Sequence, residues 1–325
     1  MFNWDIIGHK KMLDVLENCF IRHNIVNAYL FHGPGKIGKT KAANQFIKAL
    51  FCANDGRPCL SCRSCVSLEN GSHPDVFRVK KEEDKKDISI EQVREMQNRL
   101  LSGSFLNSYK VGVIEGAEYL NESGWNSLLK ILEEPPSKTV IIIIAKTIEK
   151  IPTTIISRCQ NLKFSYVLED EIYKYLRFNN IERSRARELA RFSRGRVGLV
   201  KEILENPLWD KEYNEKIKNL FSLFSKEKSI KEKNNFVAII SKDKTQSYDF
   251  LNFFSVLTRD LILSKIDNSL IVNLRYKDKI SEIAEHFSFK KLESLIEDSI
   301  KSKEALLGNA NAKILLENLV LNIHC

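Results

Sequence analysis

Apolar residues follow two rhythms along this chain. In the first half they come as short runs, Tyr29–Phe31, Val76–Val79, Val111–Ile114 and Val140–Ala145. Between these runs lie stretches with helical spacing, such as Ile90–Leu101 and Ser123–Leu132. Strands alternating with helices predict a parallel sheet covered on both faces. From Leu208 to Cys325 the spacing turns to threes and fours, as in Phe250, Phe253, Phe254, Leu257 and Leu261. Breakers divide the chain in the same way: all seven prolines lie at or before Pro207, and of thirteen glycines only Gly308 lies beyond Gly198. The last segment is therefore predicted to be all helix. The expected organisation is an α/β core over 1–165, a small helical segment over 166–206 and a helical domain over 207–325. Leu168–Leu176 and Ser184–Ser193 are two helices of the middle segment, and Pro207 closes it.

Composition narrows the class only a little. Charged residues are 29% and hydrophobic residues 43% of 325, ordinary for a soluble globular protein. The net charge of +9 admits an anionic partner, but lysines and glutamates are interspersed, so solvated helix faces account for it as well. The charged stretches Lys80–Asp87 and Lys226–Asn235 read as exposed loops or helix ends. The opening Met1-Phe2-Asn3-Trp4-Asp5 lacks the pattern of a secretory signal, and Val140–Ala145 is too short to span a bilayer. A cytoplasmic chain is expected, with its seven cysteines reduced or metal-bound.

The strand-like Tyr29-Leu30-Phe31 leads into Gly33-Pro34-Gly35-Lys36-Ile37-Gly38-Lys39-Thr40, and a helix over Lys41–Leu50 follows. Strand, glycine-rich loop and helix in that order form a phosphate-binding loop. Gly33, Gly35 and Gly38 let backbone N–H groups turn toward a phosphate, and Lys39 supplies a cation to the β/γ oxygens. Thr40 is placed to ligate Mg²⁺, and the helix N-terminus adds partial positive charge. The chain is expected to bind a nucleoside triphosphate or to descend from one that did; hydrolysis is a separate matter.

Cys52, Cys59, Cys62 and Cys65 follow that helix in a C-x6-C-x2-C-x2-C pattern. Four thiolates so spaced can close around Zn²⁺ as a structural site with no position left for water. An iron–sulfur cluster favours other spacings. Cys19, Cys159 and Cys325 have no partners in sequence and read as inert buried or terminal thiols.

The run Val111–Ile114 ends in Glu115-Gly116-Ala117-Glu118, where a nucleotide hydrolase keeps its second acidic motif. There an Asp holds the Mg²⁺ shell and a following Glu polarises water. Glu115 fills the first place, one methylene longer, and Gly116 leaves the second without a side chain. Glu118 stands two residues out of register, so the expectation is decayed hydrolytic machinery rather than a substitute base. Ser157-Arg158-Cys159 carries an arginine that could reach a neighbouring subunit's γ-phosphate, though such a pair is often plain solvated surface.

The runs Asn126–Pro136 and Ile151–Cys159, with Gly71–Asp75 and Asn27–Phe31, resemble bacterial clamp-loader subunits. The resemblance covers residues 5–205 and resumes at Asn309-Ala310-Asn311-Ala312. It implies an AAA+ fold: the nucleotide-binding core, a three-helix lid over 166–206, and a collar that builds an oligomeric ring over 207–325. The implied assembly opens a sliding clamp and places it on primer-template DNA, with gamma/tau and delta subunits as partners. Within the family, Lys146 stands where a motor subunit keeps its sensor-1 polar residue, and Gly198 where it keeps a sensor-2 arginine. Gly116 replaces the catalytic acid, while Arg158 is kept. This combination resembles the delta-prime type, which presents an arginine finger to a motor neighbour. The chain length agrees, since motor subunits usually run on beyond the collar. The intact phosphate loop is the departure, because many delta-prime proteins have lost it. The alternatives are a short gamma/tau-type motor with its own ATPase, and a zinc-bearing nucleic-acid-binding protein.

Overall fold

The structure is a computed structural model that describes residues 2–82, 84–102, 109–225 and 229–323. Cys325, and parts of the two charged stretches (residue 83 and residues 226–228), lie outside the described residues. The first half builds a five-stranded sheet from β1 (Ala28–His32), β2 (Val76–Lys80), β3 (Lys110–Glu115), β4 (Thr139–Ala145) and β5 (Gln160–Lys163). All pairings are parallel, in the order β2-β3-β4-β1-β5. The four apolar runs became β1 to β4. β1 and β4 lie in the middle and are buried at every position, which is why they read as unbroken apolar runs.

β5 had no such signature. An edge strand needs only one inward side chain; here Leu162 is buried while Asn161 and Lys163 face water. Its pairing with β1, from Tyr29 opposite Gln160 to His32 opposite Lys163, extends the sheet past the last apolar run.

Successive side chains of a strand face opposite ways, so β4 feeds two cores. Ile142 and Ile144 join Leu16, Phe31 and Phe46 under α1 (Lys10–Ile21) and α2 (Lys39–Phe51). Between α2 and β2 lies the short α3 (Arg63–Glu69). Ile141 and Ile143 join Val93, Leu128 and Ile155 beneath α4 (Ile90–Leu101), α5 (Glu122–Glu133) and α6 (Thr153–Ile156). α4 starts with a reciprocal cap: Ser89 Oγ accepts the Gln92 N–H, and the Gln92 side chain accepts the Ser89 N–H.

Three helices follow the sheet: α7 (Glu169–Phe178), α8 (Arg183–Ser193) and α9 (Val197–Glu205). The chain divides into two compact units. One holds Met1–Ile181 with Ser193–Lys201, the other Glu182–Phe192 with Glu202–Cys325. α8 thus counts almost wholly with the second unit.

The second unit is built from α10 (Trp209–Phe224), α11 (Ile230–Ile240), α12 (Lys244–Ser264), α13 (Lys277–Glu285), α14 (Phe289–Leu307) and α15 (Ala312–Leu321). Leu251, Phe254, Leu257 and Leu261 of α12 are fully buried, so the stripe read in the sequence is the core-facing side of this helix. The all-helix expectation yields at residues 268–276. There two 3-10 turns, Asn268–Leu270 and Leu274–Tyr276, flank an extended stretch. Asp260, fully buried on α12, holds that stretch. Its carboxylate accepts the Val272 N–H at 3.0 Å, the Asn273 N–H at 2.9 Å and the Asn273 amide at 2.6 Å. Among the described residues no helix is long and apolar enough to cross a membrane.

Candidate functional site

The loop between β1 and α2 takes its shape from backbone that only glycine tolerates. Gly33 sits at φ +140°, and a Cβ there would meet the Phe164 carbonyl oxygen at 2.1 Å. Gly38, at φ +101°, caps α2 with no side-chain bond, so its first-turn N–H groups are not served by a side-chain cap. Thr40 follows in the first turn. The Lys39 side chain is buried and folds back on the loop, donating to the Gly33 carbonyl at 2.5 Å and the Pro34 carbonyl at 2.6 Å. Burial lowers its pKa to about 8; Glu118 pulls it upward and Lys146 pushes it further down. His9 Nε2 lies 2.7 Å from the Ile37 carbonyl, bringing the start of α1 against the same loop.

Glu115 closes β3. Arg78 on the neighbouring strand β2 reaches it, Nη1 to Oε1 at 3.0 Å, while Nη2 donates to Asn44 Oδ1 at 2.7 Å. Sequence reasoning had passed over Arg78. Its signal was an arginine inside the otherwise apolar run Val76–Val79. Gly116 adopts φ +73° and starts the 3-10 turn Ala117–Tyr119, closed by the Tyr119 N–H on the Gly116 carbonyl. That turn buries the Glu118 side chain, which is 5% exposed. Glu118 Oε2 accepts the Lys146 N–H at 3.1 Å, whereas Oε1 is buried with no hydrogen-bond partner. Lys146 follows β4, its Nζ 3.8 Å from Glu118 Oε1 and its Cε 3.9 Å from where a Cβ on Gly35 would project.

Gly198, in the first turn of α9, packs on the phosphate loop itself. Its N–H donates to the Lys36 carbonyl at 2.7 Å, and a Cβ there would stand 3.0 Å from that oxygen. A side chain at Gly198 would therefore crowd the Lys36 backbone on the present path.

Arg158 lies away from this loop, just past α6. Its Nη2 pairs with Glu133 Oε1 at 2.7 Å at the end of α5, and its Nη1 donates to the Thr154 carbonyl at 2.9 Å. The side chain remains 36% exposed.

The four cysteines come together where α2 ends and α3 begins. Cys52 caps the end of α2, and Cys62 caps α3, its sulfur accepting the Cys65 N–H. All four sulfurs lie within 4.8 Å of one another. A tetrahedral site with bonds of about 2.3 Å has sulfurs roughly 3.8 Å apart, so closure asks for about an ångström of movement. N–H groups of Ser61 and Cys62 hold the Cys59 thiol down to about 6, and burial pushes Cys65 up to about 12. The donor set fits a metal ion. Cys19 is buried and Cys159 half-buried, both apart from this cluster.

A parallel sheet in this order, a phosphate loop after β1 and a helical unit later in the chain define an AAA+ phosphate-loop protein. Two family models match it: "DNA polymerase III, delta subunit" over residues 8–167 and "DNA polymerase III, delta subunit, C terminal" over 207–324. The chain is 29% identical over 323 residues to DNA polymerase III subunit delta-prime of Bacillus subtilis, covering 96% of this chain and 94% of that one. It is 37% identical over 135 residues to the delta-prime subunit of Pseudomonas aeruginosa, 41% of each chain. Against DNA polymerase III subunit tau of Bacillus subtilis the figure is 34% over 170 residues, 52% of this chain and 30% of that one. The chain belongs to the DNA polymerase III delta-prime family.

Proposed function

We propose that this chain is the delta-prime subunit of a replicative clamp loader, working in the cytoplasm beside gamma/tau-type and delta subunits to place a sliding clamp on primer-template DNA. In this reading Gly33, Gly35, Gly38, Lys39 and Thr40 hold ATP or ADP, with Mg²⁺ accompanying the nucleotide. Lys39, buried and now satisfied by loop carbonyls, exchanges those bonds for phosphate oxygens. The nucleotide supplies charge and binding energy to the ring, and this chain turns it over slowly or not at all. Cys52, Cys59, Cys62 and Cys65 hold structural Zn²⁺. Residues 1–165 act as the nucleotide-binding core, 166–206 as the lid and 207–325 as the collar.

The observation that carries the reading is Gly116. At the end of β3, beside an intact phosphate loop, the position of the hydrolytic acid holds a glycine at φ +73°. A backbone position offers no general base. The chemistry then passes to Arg158, whose guanidinium lies on the surface and would act in trans on a neighbour's γ-phosphate. Reconstituting the loader with Arg158→Ala tests this. DNA- and clamp-stimulated ATP hydrolysis is expected to fall at least about tenfold, a modest share of what such arginines contribute. Unchanged hydrolysis would sink the finger role.

A further inference from the structure

We propose that Glu118, not Glu115, is the carboxylate that faces the divalent cation accompanying a nucleotide in this pocket. The assignment rests on the nucleotide-binding reading above and goes beyond it in naming the residue. Glu115 is already compensated: the Arg78 guanidinium spans from its carboxylate to Asn44, so a cation arriving there would have to displace an arginine. Glu118 is in the opposite state. Its Oε2 is fixed by the Lys146 N–H at 3.1 Å, which aims the carboxylate, and its buried Oε1 has no hydrogen bond among the described residues. A buried carboxylate oxygen left without a donor costs free energy until something supplies one.

The surroundings say what that something is. Glu118 is close enough to Lys39 to raise that lysine's pKa against the effect of burial. Lys146, whose backbone holds Glu118, lays its side chain along the phosphate loop at Gly35. A bare carboxylate beside bound phosphates repels them, and Lys146 Nζ, at 3.8 Å with a side chain 60% exposed, compensates weakly. A hydrated divalent cation carries both things Oε1 lacks, positive charge and O–H donors, and Mg²⁺ characteristically keeps several of its waters. Gly116 is part of the same device. Its left-handed backbone turns the chain out of β3 and lets the acid two residues on, Glu118, swing into the pocket. The residue that removed the hydrolytic acid thus delivered a different carboxylate, one placed to hold a cation.

The test compares ADP affinity of the full chain with Mg²⁺ and with EDTA, for the wild type, Glu118→Gln and Glu115→Gln. Manganese electron paramagnetic resonance with ADP gives a readout independent of turnover, and thermal melting confirms folding. The wild type is expected to bind about tenfold tighter with Mg²⁺. Glu118→Gln should erase that difference and the ADP-dependent Mn²⁺ signal while keeping the affinity in EDTA. Glu115→Gln should keep both. Full Mg²⁺ dependence in Glu118→Gln, or its loss in Glu115→Gln alone, overturns the assignment. Wild-type binding that ignores Mg²⁺ overturns it as well and leaves the nucleotide reading standing. No ADP binding by the wild type under either condition overturns both. Should Glu118→Gln melt early, Glu118→Asp serves in its place. It keeps the charge on a shorter arm and is expected to weaken the Mg²⁺ dependence, and a dependence equal to wild type again overturns the proposal.

Discussion

Two buried carboxylates, one in each unit, are treated in opposite ways. Asp260 in the helical unit is fully enclosed, and both its oxygens are used by donors from the stretch it anchors. Burial pushes its carboxyl above the usual range, opposed chiefly by the Val272 and Asn273 N–H groups. Glu118 in the α/β unit is nearly as buried but has an oxygen left over. The difference separates architecture from a site. A folded chain satisfies its buried polar groups internally when they hold structure together, so a group left incomplete among cations and strained glycines points to a ligand.

The comparison breaks most readily at Asp260. Asp260→Ala leaves three buried donors without an acceptor and is expected to cost about 3 kcal/mol or more, read as a lower urea midpoint of the full chain. Asp260→Asn keeps one acceptor oxygen and should lose less. Equal, small losses for both would mean the stretch around Val272 does not depend on this carboxylate, and the contrast with Glu118 would fail.

The pocket's own titration comes next in size. With the Lys39 pKa lowered to about 8 by burial, the free chain loses that ammonium above this pH. Phosphate needs it protonated, so nucleotide binding must take up a proton there. Affinity should therefore fall by up to about tenfold per unit as pH rises beyond about 8, and stay level below it. Flat affinity between pH 7 and 10 would show that Lys39 is not the phosphate cation.

The smallest effect belongs to the turn itself. Gly116→Ala puts a Cβ on left-handed backbone, 3.1 Å from the Tyr119 ring, and is expected to cost about 1 kcal/mol of stability. If Glu118 depends on that turn, the variant should also weaken the Mg²⁺ dependence of ADP binding. A stability loss with full Mg²⁺ dependence would detach the turn from the pocket.

Much of this was legible along the chain. β1, β3 and β4 announced themselves as apolar runs because they lie inside the sheet, and the edge strand β2 because Val76, Phe77 and Val79 are apolar. α4 was bounded to the residue, from Ile90 to Leu101, because periodicity and the Ser89 cap agree there. The phosphate loop and the four cysteines were readable because each signature is carried by residues near one another in sequence. β5 was missed because Leu162 is the single apolar residue of Gln160–Lys163, whereas the other edge strand, β2, carries three. The 3-10 turns near Asn268 were missed although Asp267-Asn268-Ser269 is a local turn signal, with Asp267 accepting the Ser269 N–H; the extended stretch after it is held from afar by a carboxylate on α12.

The sequence by itself determined that there is a phosphate loop, a thiol cluster able to take a metal, a glycine after the last residue of β3 and a helical second half. These are local matters, set by φ angles, spacing and periodicity. Only the tertiary structure decided which partners the two acids, Glu115 and Glu118, take. Arg78 and Glu115 are 37 residues apart in sequence and meet because β2 lies beside β3. Glu118 and Lys146 meet because the turn after β3 runs past the end of β4. A long charged side chain takes its partner from whatever the sheet order sets beside it, and no window of sequence carries that order.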